Sequence, residues 1–347
     1  MKITIRKIAE MAGVSRSAVD KVIHDRPGVR PEVRKRVQQI IEETGYVPIH
    51  KKTQPPMDIN AKKKIAIIMP RLHNPYFLKL KQGIDSRAIL MPALELTYYF
   101  CDISDVNGML QILDALENQS IDLYIIRGVN SKRLRDKLNS MTTPIIFTDS
   151  VVPGADMLCF VGEDGYQSGR IAASLLAKTI SKQGEIVVFG GSPDISSHKL
   201  RLEGFLDAIR TRWPDIHIVE QMYSQDTGIL AYEYTCKVLK QNPNLCGICN
   251  LAGFSGEIGQ AIMDCHRQDS VKLVCYNILG DVDALIQKGI VDFSIHVAPF
   301  HQGQMLLETA FQFLVCNKMP PQKYLYLPVS IALDENIDAL MAAEKDT

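Results

Sequence analysis

The alternation of short apolar runs with longer amphipathic stretches constrains the fold of this 347-residue chain more than any other feature. It begins at Lys63 with the runs KKIAIIMP, ALELTYYF, IDLYIIRG and TPIIFTDS, separated by helical patterns such as NGMLQILDALENQ. It restarts with GEIVVFGG, IHIVEQMY, LCGICNLA and VKLVCYNI. Short apolar runs joined by helical crossovers are typical of parallel sheets. The sequence therefore predicts an α/β region of two doubly wound parallel-sheet lobes, with a cleft at the carboxyl ends of their strands.

Three short helical patterns precede this region. In TIRKIAEMAG, apolar residues recur at helical spacing, Thr4 is placed to cap the first helix and Gly13 to end it. Ser15 is placed to cap a second helix, and Val14 before it can pack on Val19. A third pattern, RPEVRKRVQQIIEETG, has proline at its first helical position and glycine at its end. The sequence predicts three short helices around one small core.

The second of these helices, in VSRSAVDKVI, has one apolar and one polar face. Val19, Val22 and Ile23 make the apolar face, which the other two helices can cover. Arg16 and Ser17 begin the polar face. A helix whose apolar face packs against other helices, and whose N-terminal turn presents polar groups, fits the major groove of DNA. The alternative is a solvated amphipathic helix in a small bundle.

Charge is divided unequally along the chain, although its formal net value is zero. Residues 1–64 hold 15 Lys and Arg against 7 Asp and Glu, and the remainder holds 24 against 32. A basic N-terminal region joined to an acidic remainder indicates that the N-terminal region binds a polyanion. The alternative is a basic arm that only aids solubility.

Signatures of other classes are missing from the sequence. No GxGxxG follows the first predicted strand, and no P-loop, GxSxG or HExxH motif occurs, which argues against an enzyme. Cys246 and Cys249 have the spacing of a metal or redox pair, but their apolar surroundings favour a buried strand. We therefore expect no metal and no cofactor. The N-terminus lacks an apolar signal, and no apolar run is long enough to span a membrane, so we expect a cytoplasmic protein.

Two parts of the chain resemble parts of one family. The run IRKIAEMAGVSRSAVDKVIHDRPGVRPEVRKRVQQIIEETGYVP resembles the DNA-binding headpiece of the LacI/GalR family of bacterial transcriptional regulators, and its AGVS and GYVP segments match. Most of residues 63–340 resembles the periplasmic-binding-protein-like effector domain, of type I-like fold, that follows such headpieces. The supporting segments, in order, are NPYF, VGEDGYQSGRIAASLL, RLEGF, SIHVAPFHQGQ and DENID. The resemblance implies a homodimer that binds double-stranded, pseudo-palindromic operator DNA and a small-molecule effector, a sugar or sugar derivative.

The resemblance assigns DNA contacts to the headpiece, with the front of the second helix in the major groove. The family's Thr-Val-Ser-Arg is here Ala18-Val19-Asp20-Lys21, so a carboxylate replaces a hydroxyl that would contact phosphate. Asp20 can instead pair with Arg16, one turn back. The implied DNA-binding residues are Thr4, Ser15, Arg16, Ser17, Ala18, Lys21, His24 and Arg30.

The segment after the headpiece departs from the family, which usually has a hinge helix here whose leucine enters the minor groove. This chain reads IHKKTQPPMDINAKKK, and Pro55 and Pro56 do not fit a continuous helix. We therefore expect a linker whose lysines contact phosphates, and little sharp bending of bound DNA.

The resemblance also implies a ligand site between the lobes. Aromatic faces there would stack on the C–H surfaces of a sugar, and polar side chains would bond to its hydroxyls. Two positions depart from the family, since Asn277 replaces a usual aspartate and Val297 a common glutamine. The implied ligand-binding residues are Asn74, Tyr76, Phe77, Arg127, Asp149, Ser150, Arg201 and Asn277.

Arg127 and Arg201 give this implied site a positive balance, with Asp149 as the clearest opposing carboxylate. A guanidinium without an anion is costly to bury, so the balance suits a uronate or a sugar phosphate. The alternative is a neutral sugar, with Arg201 paired to Asp149 or bound to hydroxyls and Arg127 pointing to solvent.

These observations divide the chain into three parts and two lobes. The expected parts are a helix-turn-helix headpiece over 1–48, a linker over 49–62 and an effector-binding and dimerisation domain over 63–340. The expected lobes are lobe 1 over 63–161 and 297–320, and lobe 2 over 162–296 and 321–340.

The predicted function is a ligand-responsive, DNA-binding transcriptional regulator that represses genes of sugar or carbohydrate-derivative metabolism. The alternative is a cytoplasmic sugar-binding protein or sugar-modifying enzyme whose basic arm is incidental. Salt-sensitive binding to operator-like DNA would distinguish the two.

Overall fold

The computed structural model describes residues 5–23, 28–44, 62–223 and 227–344. The chain forms two compact units, Met1–Ala61 and Lys62–Thr347. The predicted linker, residue 62 apart, lies outside the described residues, and so does Gly45, which was predicted to end the third helix.

Three helices are described in the first unit: α1 (Ile5–Ala12), α2 (Arg16–Ile23) and α3 (Pro31–Thr44). Gly13 ends α1 in the left-handed region, with a φ of 62°, and the Val14 N–H donates to the Ala9 carbonyl across the turn at 3.1 Å. The Ser15 hydroxyl accepts from the Ala18 N–H at 3.2 Å and caps α2. Both predicted turn signals are confirmed.

The core of the first unit is small and apolar. Ile8, Val19 and Val37 have no exposed surface, and Val22 is 5% exposed. Val14 packs against this cluster, as predicted for the residue before the cap. One side chain from each helix therefore lies at the centre of the core, and this packing fixes the inner face of α2.

The second unit alternates strands and helices along the chain. Its strands are β1 (Lys63–Pro70), β2 (Leu94–Cys101), β3 (Leu123–Ile126), β4 (Ile145–Thr148), β5 (Cys159–Gly162), β6 (Gly184–Phe189), β7 (Ile216–Met222), β8 (Leu245–Asn250), β9 (Lys272–Tyr276), β10 (Phe293–His296), β11 (Tyr324–Tyr326) and β12 (Ser330–Ala332). Its helices are α4 (Pro75–Ala88), α5 (Val106–Leu116), α6 (Lys132–Ser140), α7 (Gly165–Thr179), α8 (Ser196–Arg212), α9 (Gly228–Gln241), α10 (Ser255–Asp264), α11 (Val282–Gln287), α12 (Pro299–Leu314) and α13 (Ile337–Ala343).

The strands form two six-stranded sheets, one in each lobe, with the orders β11-β5-β4-β3-β1-β2 and β12-β10-β9-β8-β6-β7. Described neighbours are parallel except β10 and β12, which run antiparallel. Strands β3, β4 and β5 are buried along their whole length, as is typical of parallel sheets covered on both faces. The predicted pair of doubly wound lobes is confirmed. The segment with Cys246 and Cys249 is strand β8, as predicted.

The chain passes between the lobes three times, and the third passage differs from the expectation. The first follows β5 and the second lies between β10 and α12, near the expected boundaries. However, β11 belongs to the first sheet, where Tyr324 pairs with Phe160, so lobe 1 extends beyond 320 to Tyr326. The physical reason is that an unpaired strand edge exposes backbone N–H and C=O groups, which another strand can cover. β11 pairs with the outer edge of β5, and its two tyrosine rings pack near Phe160.

Two close helix pairs position the cleft. In lobe 1, α4 crosses α12 at Gly83 and Gly303, and in lobe 2, α7 crosses α8 at Gly169 and Gly204. A Cβ atom added at any of the four would lie 1.9 to 2.1 Å from a carbonyl oxygen of the partner helix. Only glycine permits backbones to approach this closely.

Candidate functional site

A cleft of about 730 Å³ lies between the lobes, at the carboxyl ends of strands from both sheets. Its volume is in the range of small-molecule sites. Ser150 is not among the residues that line it. Seven of the eight residues predicted to bind ligand do line it: Asn74, Tyr76, Phe77, Arg127, Asp149, Arg201 and Asn277.

Helix α4 brings Asn74, Tyr76 and Phe77 to the cleft. Asn74 caps α4, because its Oδ1 accepts the Tyr76 N–H at 3.0 Å. The Tyr76 hydroxyl donates to Gln302 Oε1 at 2.8 Å, and Gln302 Nε2 donates to Thr148 Oγ1 at 2.8 Å. Burial raises the pKa of Tyr76 well above its usual value, so the phenol is neutral. Since its hydroxyl is occupied within the protein, Tyr76 offers a ligand chiefly its ring.

Arg127 is buried rather than directed to solvent, with only 1% of its surface exposed. Its Nε donates to Asp149 Oδ2 at 3.1 Å, and its Nη1 donates to the Ile103 carbonyl at 2.6 Å. Asp149 follows β4 in the left-handed region, with a φ of 57°. The alternative expectation of a solvent-directed Arg127 is therefore wrong.

Arg201 is buried on α8 and pairs with Glu163, which was not among the predicted residues. The Arg201 Nε donates to Glu163 Oε1 at 2.5 Å, and Nη2 contacts the same oxygen. Nη1 donates to the Leu251 carbonyl at 2.8 Å, and the guanidinium lies 4.0 Å from the centre of the Tyr276 ring. Burial raises the pKa of Glu163, and the Arg201 guanidinium offsets this only in part.

The charge balance of the cleft differs from the expectation. Arg127 pairs with Asp149, and Arg201 pairs with Glu163. The predicted positive balance is therefore wrong, and so is the alternative pairing of Arg201 with Asp149. The physical reason is that an unpaired buried guanidinium would be costly, and the fold supplies a second carboxylate directly after β5. At the two arginines, a ligand therefore meets ion pairs without net charge.

Ser150 bridges the lobes instead of lining the cleft. It has no exposed surface, and its hydroxyl lies 3.0 Å from the Ser196 hydroxyl and accepts the Ser196 N–H at 2.9 Å. Nearby, the Asn130 N–H of lobe 1 donates to the Asp194 carbonyl of lobe 2 at 2.9 Å. The predicted direct contact of Ser150 with ligand is replaced by a contact between lobes, because α8 begins against the loop that follows β4.

The two departures from the family have different consequences. Asn277 follows β9 in the left-handed region, with a φ of 64°, which asparagine tolerates better than most residues. Its Oδ1 accepts the Val297 N–H at 3.2 Å, which an aspartate could also do, but asparagine in addition offers N–H donors. Val297 is 3% exposed and packs in the core, so its side chain does not line the cleft.

His198 lines the cleft although it was not predicted. It lies one helical turn before Arg201 on α8, and this spacing could have indicated it. The Ser192 N–H donates to its Nδ1 at 3.1 Å, which leaves the proton on Nε2 as a donor for a ligand. Burial, together with the charges of Arg201 and Arg127, lowers the pKa of His198 well below its usual value. The imidazole is therefore neutral.

This lowered pKa predicts a pH dependence of stability. Below about pH 6.5 the unfolded chain binds a proton that folded His198 does not, so the free energy of unfolding falls as the pH falls. We expect a shallower dependence in His198→Asn, whose Oδ1 can still accept the Ser192 N–H. Urea unfolding between about pH 8 and about pH 5 measures it. The control is His217→Asn, which replaces an exposed histidine of β7, and equal slopes for His198→Asn and wild type would disprove the assignment.

In the first unit, five of the eight residues predicted to contact DNA lie on α2 or cap it. Arg30 precedes α3 and is exposed, while Thr4 and His24 lie outside the described residues. The remaining predicted contacts, which cap α2 or lie on it, are Ser15, Arg16, Ser17, Ala18 and Lys21. The short turn between α1 and α2 gives this unit helix-turn-helix geometry.

Two family models match the chain. Residues 4–48 match "Bacterial regulatory proteins, lacI family", and residues 65–318 match "Periplasmic binding protein domain". The chain belongs to the LacI family. The two matches correspond to the helix-turn-helix of this LacI-family protein and to its two-lobed unit.

Curated relatives of this LacI-family protein are named as regulators of transcription or of catabolite control. It is 26% identical over 215 residues to catabolite control protein A of Streptococcus mutans, and the match spans 60% of this chain and 61% of that protein, less than two thirds of its length. It is 25% identical over 273 residues to the HTH-type transcriptional regulator MalR of Clostridium butyricum, spanning 72% of this chain and 74% of that protein.

Solved structures show the fold of the two-lobed unit. A carbohydrate transporter solute-binding protein of Agrobacterium radiobacter, in complex with D-arabinose, aligns with a TM-score of 0.75 and 21% identity over 82% of this chain and 100% of that chain. The LacI-family protein thus has a periplasmic-binding-protein type I fold. Within the described ranges, no helix is long and apolar enough to cross a membrane, and no group of three or more His, Cys, Asp or Glu side chains is placed to hold a metal ion.

Proposed function

We propose that this LacI-family protein is a cytoplasmic homodimer that binds a pseudo-palindromic operator and represses genes of carbohydrate metabolism. Its affinity for DNA changes when a sugar occupies the cleft. Two features in one chain carry the proposal. One is a helix-turn-helix whose second helix packs its inner face against the core, and the other is a cleft lined by both lobes.

Support for DNA reading comes from α2. Val19 and Val22 hold its inner face in the core, and its first turn contains Arg16 and Ser17. The first residues of such a helix reach base edges, and basic residues around it neutralise phosphates. We assign these roles to the predicted contacts of the headpiece.

Support for a homodimer comes from symmetry and from exposed apolar surface. A two-fold operator needs two reading helices about one helical turn apart. Ile89 and Leu90, adjacent at the end of α4, are 82% and 68% exposed, and Leu78 on the same helix is 41% exposed. Surface of this kind is typical of protein interfaces.

Support for a neutral sugar comes from the polar groups of the cleft. The two arginines are neutralised by their carboxylates, while His198 and Asn277 offer uncharged N–H donors. Tyr76 and Phe77 supply aromatic surface. Hydroxyl groups accept and donate hydrogen bonds, so a polyol satisfies such a mixed set without adding charge.

Cross-lobe contacts support a link between the cleft and the lobe arrangement. Ser150 and Ser196 bond across the lobes at its edge, as do the backbones of Asn130 and Asp194. A ligand that prefers one separation of the lobes shifts the population toward it. We infer that this shift changes how a dimer presents its two reading helices.

Fluorescence anisotropy with operator DNA selected from a random-sequence pool tests the proposal. We expect tight binding that weakens steeply with salt, because neutralised phosphates release counterions. We also expect one sugar of a panel to change the affinity. A sugar-binding protein or sugar-modifying enzyme with an incidental basic arm would bind the sugar but would select no operator.

Replacement of Arg16 by alanine is expected to relax sequence preference at one position of that operator. Loss of a base contact costs roughly 1–3 kcal/mol at the selected site, whereas loss of a phosphate contact weakens all sequences about equally. Anisotropy with the operator and its single-base variants measures the difference. Arg210→Ala, on the exposed surface of α8, is the control. Identical sequence preference and affinity in Arg16→Ala and wild type would show that Arg16 does not contact a base.

A further inference from the structure

Lobe 2 contributes to the lining of the cleft two segments that lie outside the predicted site. We call the space along them the side pocket and define it by the lining residues within 252–263, from the loop before α10 almost to the end of that helix, and within 279–288, around α11. None of the predicted ligand-binding residues lies in either segment. The larger apolar side chains that line the side pocket are Phe254, Met263, Leu279, Val282 and Leu285.

The polar side chains that line the side pocket are exposed, except those of Ser255 and Glu257, and the Ser255 hydroxyl accepts from Asn250 Nδ2. Gln260 Nε2 donates to Asp264 Oδ1 at 2.7 Å. The Glu257 carboxylate lies at the start of α9, where a Cβ added to Gly228 would be 2.6 Å from its Oε1. Asp281 and Lys288 also line the pocket and are exposed. The buried part of the side pocket therefore offers few partners for hydroxyl groups.

The side pocket contains open space beside α10. A Cβ atom added at Gly253 or at Gly256 would have no heavy atom of the described residues within 4 Å. Gly256 lies in the first turn of α10 without a positive φ, so other residues are compatible with its backbone. The space next to this helix is thus wide enough for part of a ligand.

The loop before α10 is held in a conformation that is uncommon for an aromatic residue. Phe254 has a φ of 65°, in the left-handed region. Asn250 keeps the loop in place, since its Nδ2 donates to the Gly253 carbonyl and to the Ser255 hydroxyl, each at 2.9 Å. Strained residues of this kind cluster at ligand sites. Phe254 shares this property with Asp149 and Asn277, which line the polar part of the cleft.

We propose that the effector is a glycoside with an apolar aglycone, an inference that rests on the proposed function. The polar part of the cleft holds the sugar ring, and an aryl or alkyl group on its glycosidic oxygen lies in the side pocket against Phe254, Met263 and Leu285. Apolar walls favour such a group because its surface leaves water. A second sugar ring would instead place hydroxyls where few partners are available.

Isothermal titration calorimetry with matched pairs tests this inference. Each pair consists of a monosaccharide and its phenyl glycoside, and a disaccharide of the same sugar is added as a third member. For the sugar that the polar part accepts, we expect the phenyl glycoside to bind at least about tenfold more tightly than the free sugar. We expect the disaccharide to show no such gain.

Two variants of Gly256 connect the gain to the side pocket. Gly256→Leu fills the open space, so we expect it to lose the tenfold advantage of the phenyl glycoside while it keeps the affinity for the free sugar. Gly256→Ala adds a single methyl group and should keep both. Retained binding of the free sugar also shows that each variant is folded.

The outcomes separate this inference from the proposed function. Equal or weaker binding of the phenyl glycoside would overturn the inference and leave the sugar effector intact. A gain for the disaccharide alone would replace the aglycone by a second sugar and overturn it as well. Binding of no member of any pair would contradict the sugar effector itself and the inference with it.

Discussion

Replacement of Arg201 by methionine is expected to destabilise the two-lobed unit by about 3–5 kcal/mol at neutral pH. Arg201 is 5% exposed and Glu163 is 8% exposed, so the variant leaves a carboxylate buried without its cation. The Leu251 carbonyl also loses a donor, and the Tyr276 ring loses the guanidinium above it. Urea unfolding followed by circular dichroism measures the change in the free energy of unfolding.

The double variant Arg201→Met, Glu163→Met is the control for this prediction. It leaves no charge buried, and apolar replacements of a whole buried ion pair are commonly neutral or stabilising. We therefore expect it to be more stable than Arg201→Met alone. A double variant that is less stable than the single one would mean that packing, not the unpaired carboxylate, causes the loss.

The deficit of Arg201→Met is also expected to depend on pH. Burial raises the pKa of Glu163 even beside Arg201, and removal of the guanidinium leaves that desolvation unopposed. A carboxyl group whose folded pKa is raised stabilises below its unfolded pKa of about 4.3, and that contribution is lost as the pH rises. The deficit should therefore shrink by up to about 1.4 kcal/mol per unit as the pH is lowered from about 7 to about 5. A deficit that is constant over this range would exclude an ionised Glu163 as its cause.

Replacement of Gly169 by alanine is expected to destabilise the protein by about 1–3 kcal/mol or more, although alanine is the better helix former. The added Cβ would lie 1.9 Å from the Arg201 carbonyl oxygen, so α7 and α8 would have to separate. That movement would also disturb the ion pair of Arg201 with Glu163. Urea unfolding compares the variant with wild type.

Gly256→Ala is the matched control, since it makes the same substitution in another helix. Its Cβ would meet no heavy atom of the described residues within 4 Å. We expect it to be neutral or to raise the free energy of unfolding by about 0.5–1 kcal/mol, the usual preference of a helix for alanine. Similar effects at Gly169 and Gly256 would show that the close helix crossing does not limit the choice of residue.

The strands and the headpiece could be predicted because their signals are local. Val14, Ser15 and Gly13 act on neighbours a few residues away, and the turn between α1 and α2 follows from their chemistry. The apolar runs likewise form strands. Those inside the sheets, such as β3 and β4, are buried on both faces, whereas the edge strands β2 and β7 are only partly buried. The exception is β11, a short run with two exposed tyrosines, whose place depends on pairing with β5.

The residues of the cleft could be predicted only in part. Asn74 and Asn277 follow buried strands, so the strand order brings them to one edge, and the structure brings them together as expected. Strand order does not predict the hydrogen-bond partner of each cleft residue. Ser150 follows a strand as well, yet it bonds to Ser196 across the lobes, and His198 was missed although it lies one turn from Arg201 on the same helix.

The sequence by itself determined the fold class, the helix-turn-helix, the family and seven of the residues that line the cleft. Only the tertiary structure decided the charge of the cleft and its extension into the side pocket. Glu163 meets Arg201, 38 residues further along the chain, because α7 and α8 cross at glycines and bring α8 close to the end of β5. Local patterns specify which residues lie on each helix and strand, whereas the distances at which those elements pack decide which charges are paired.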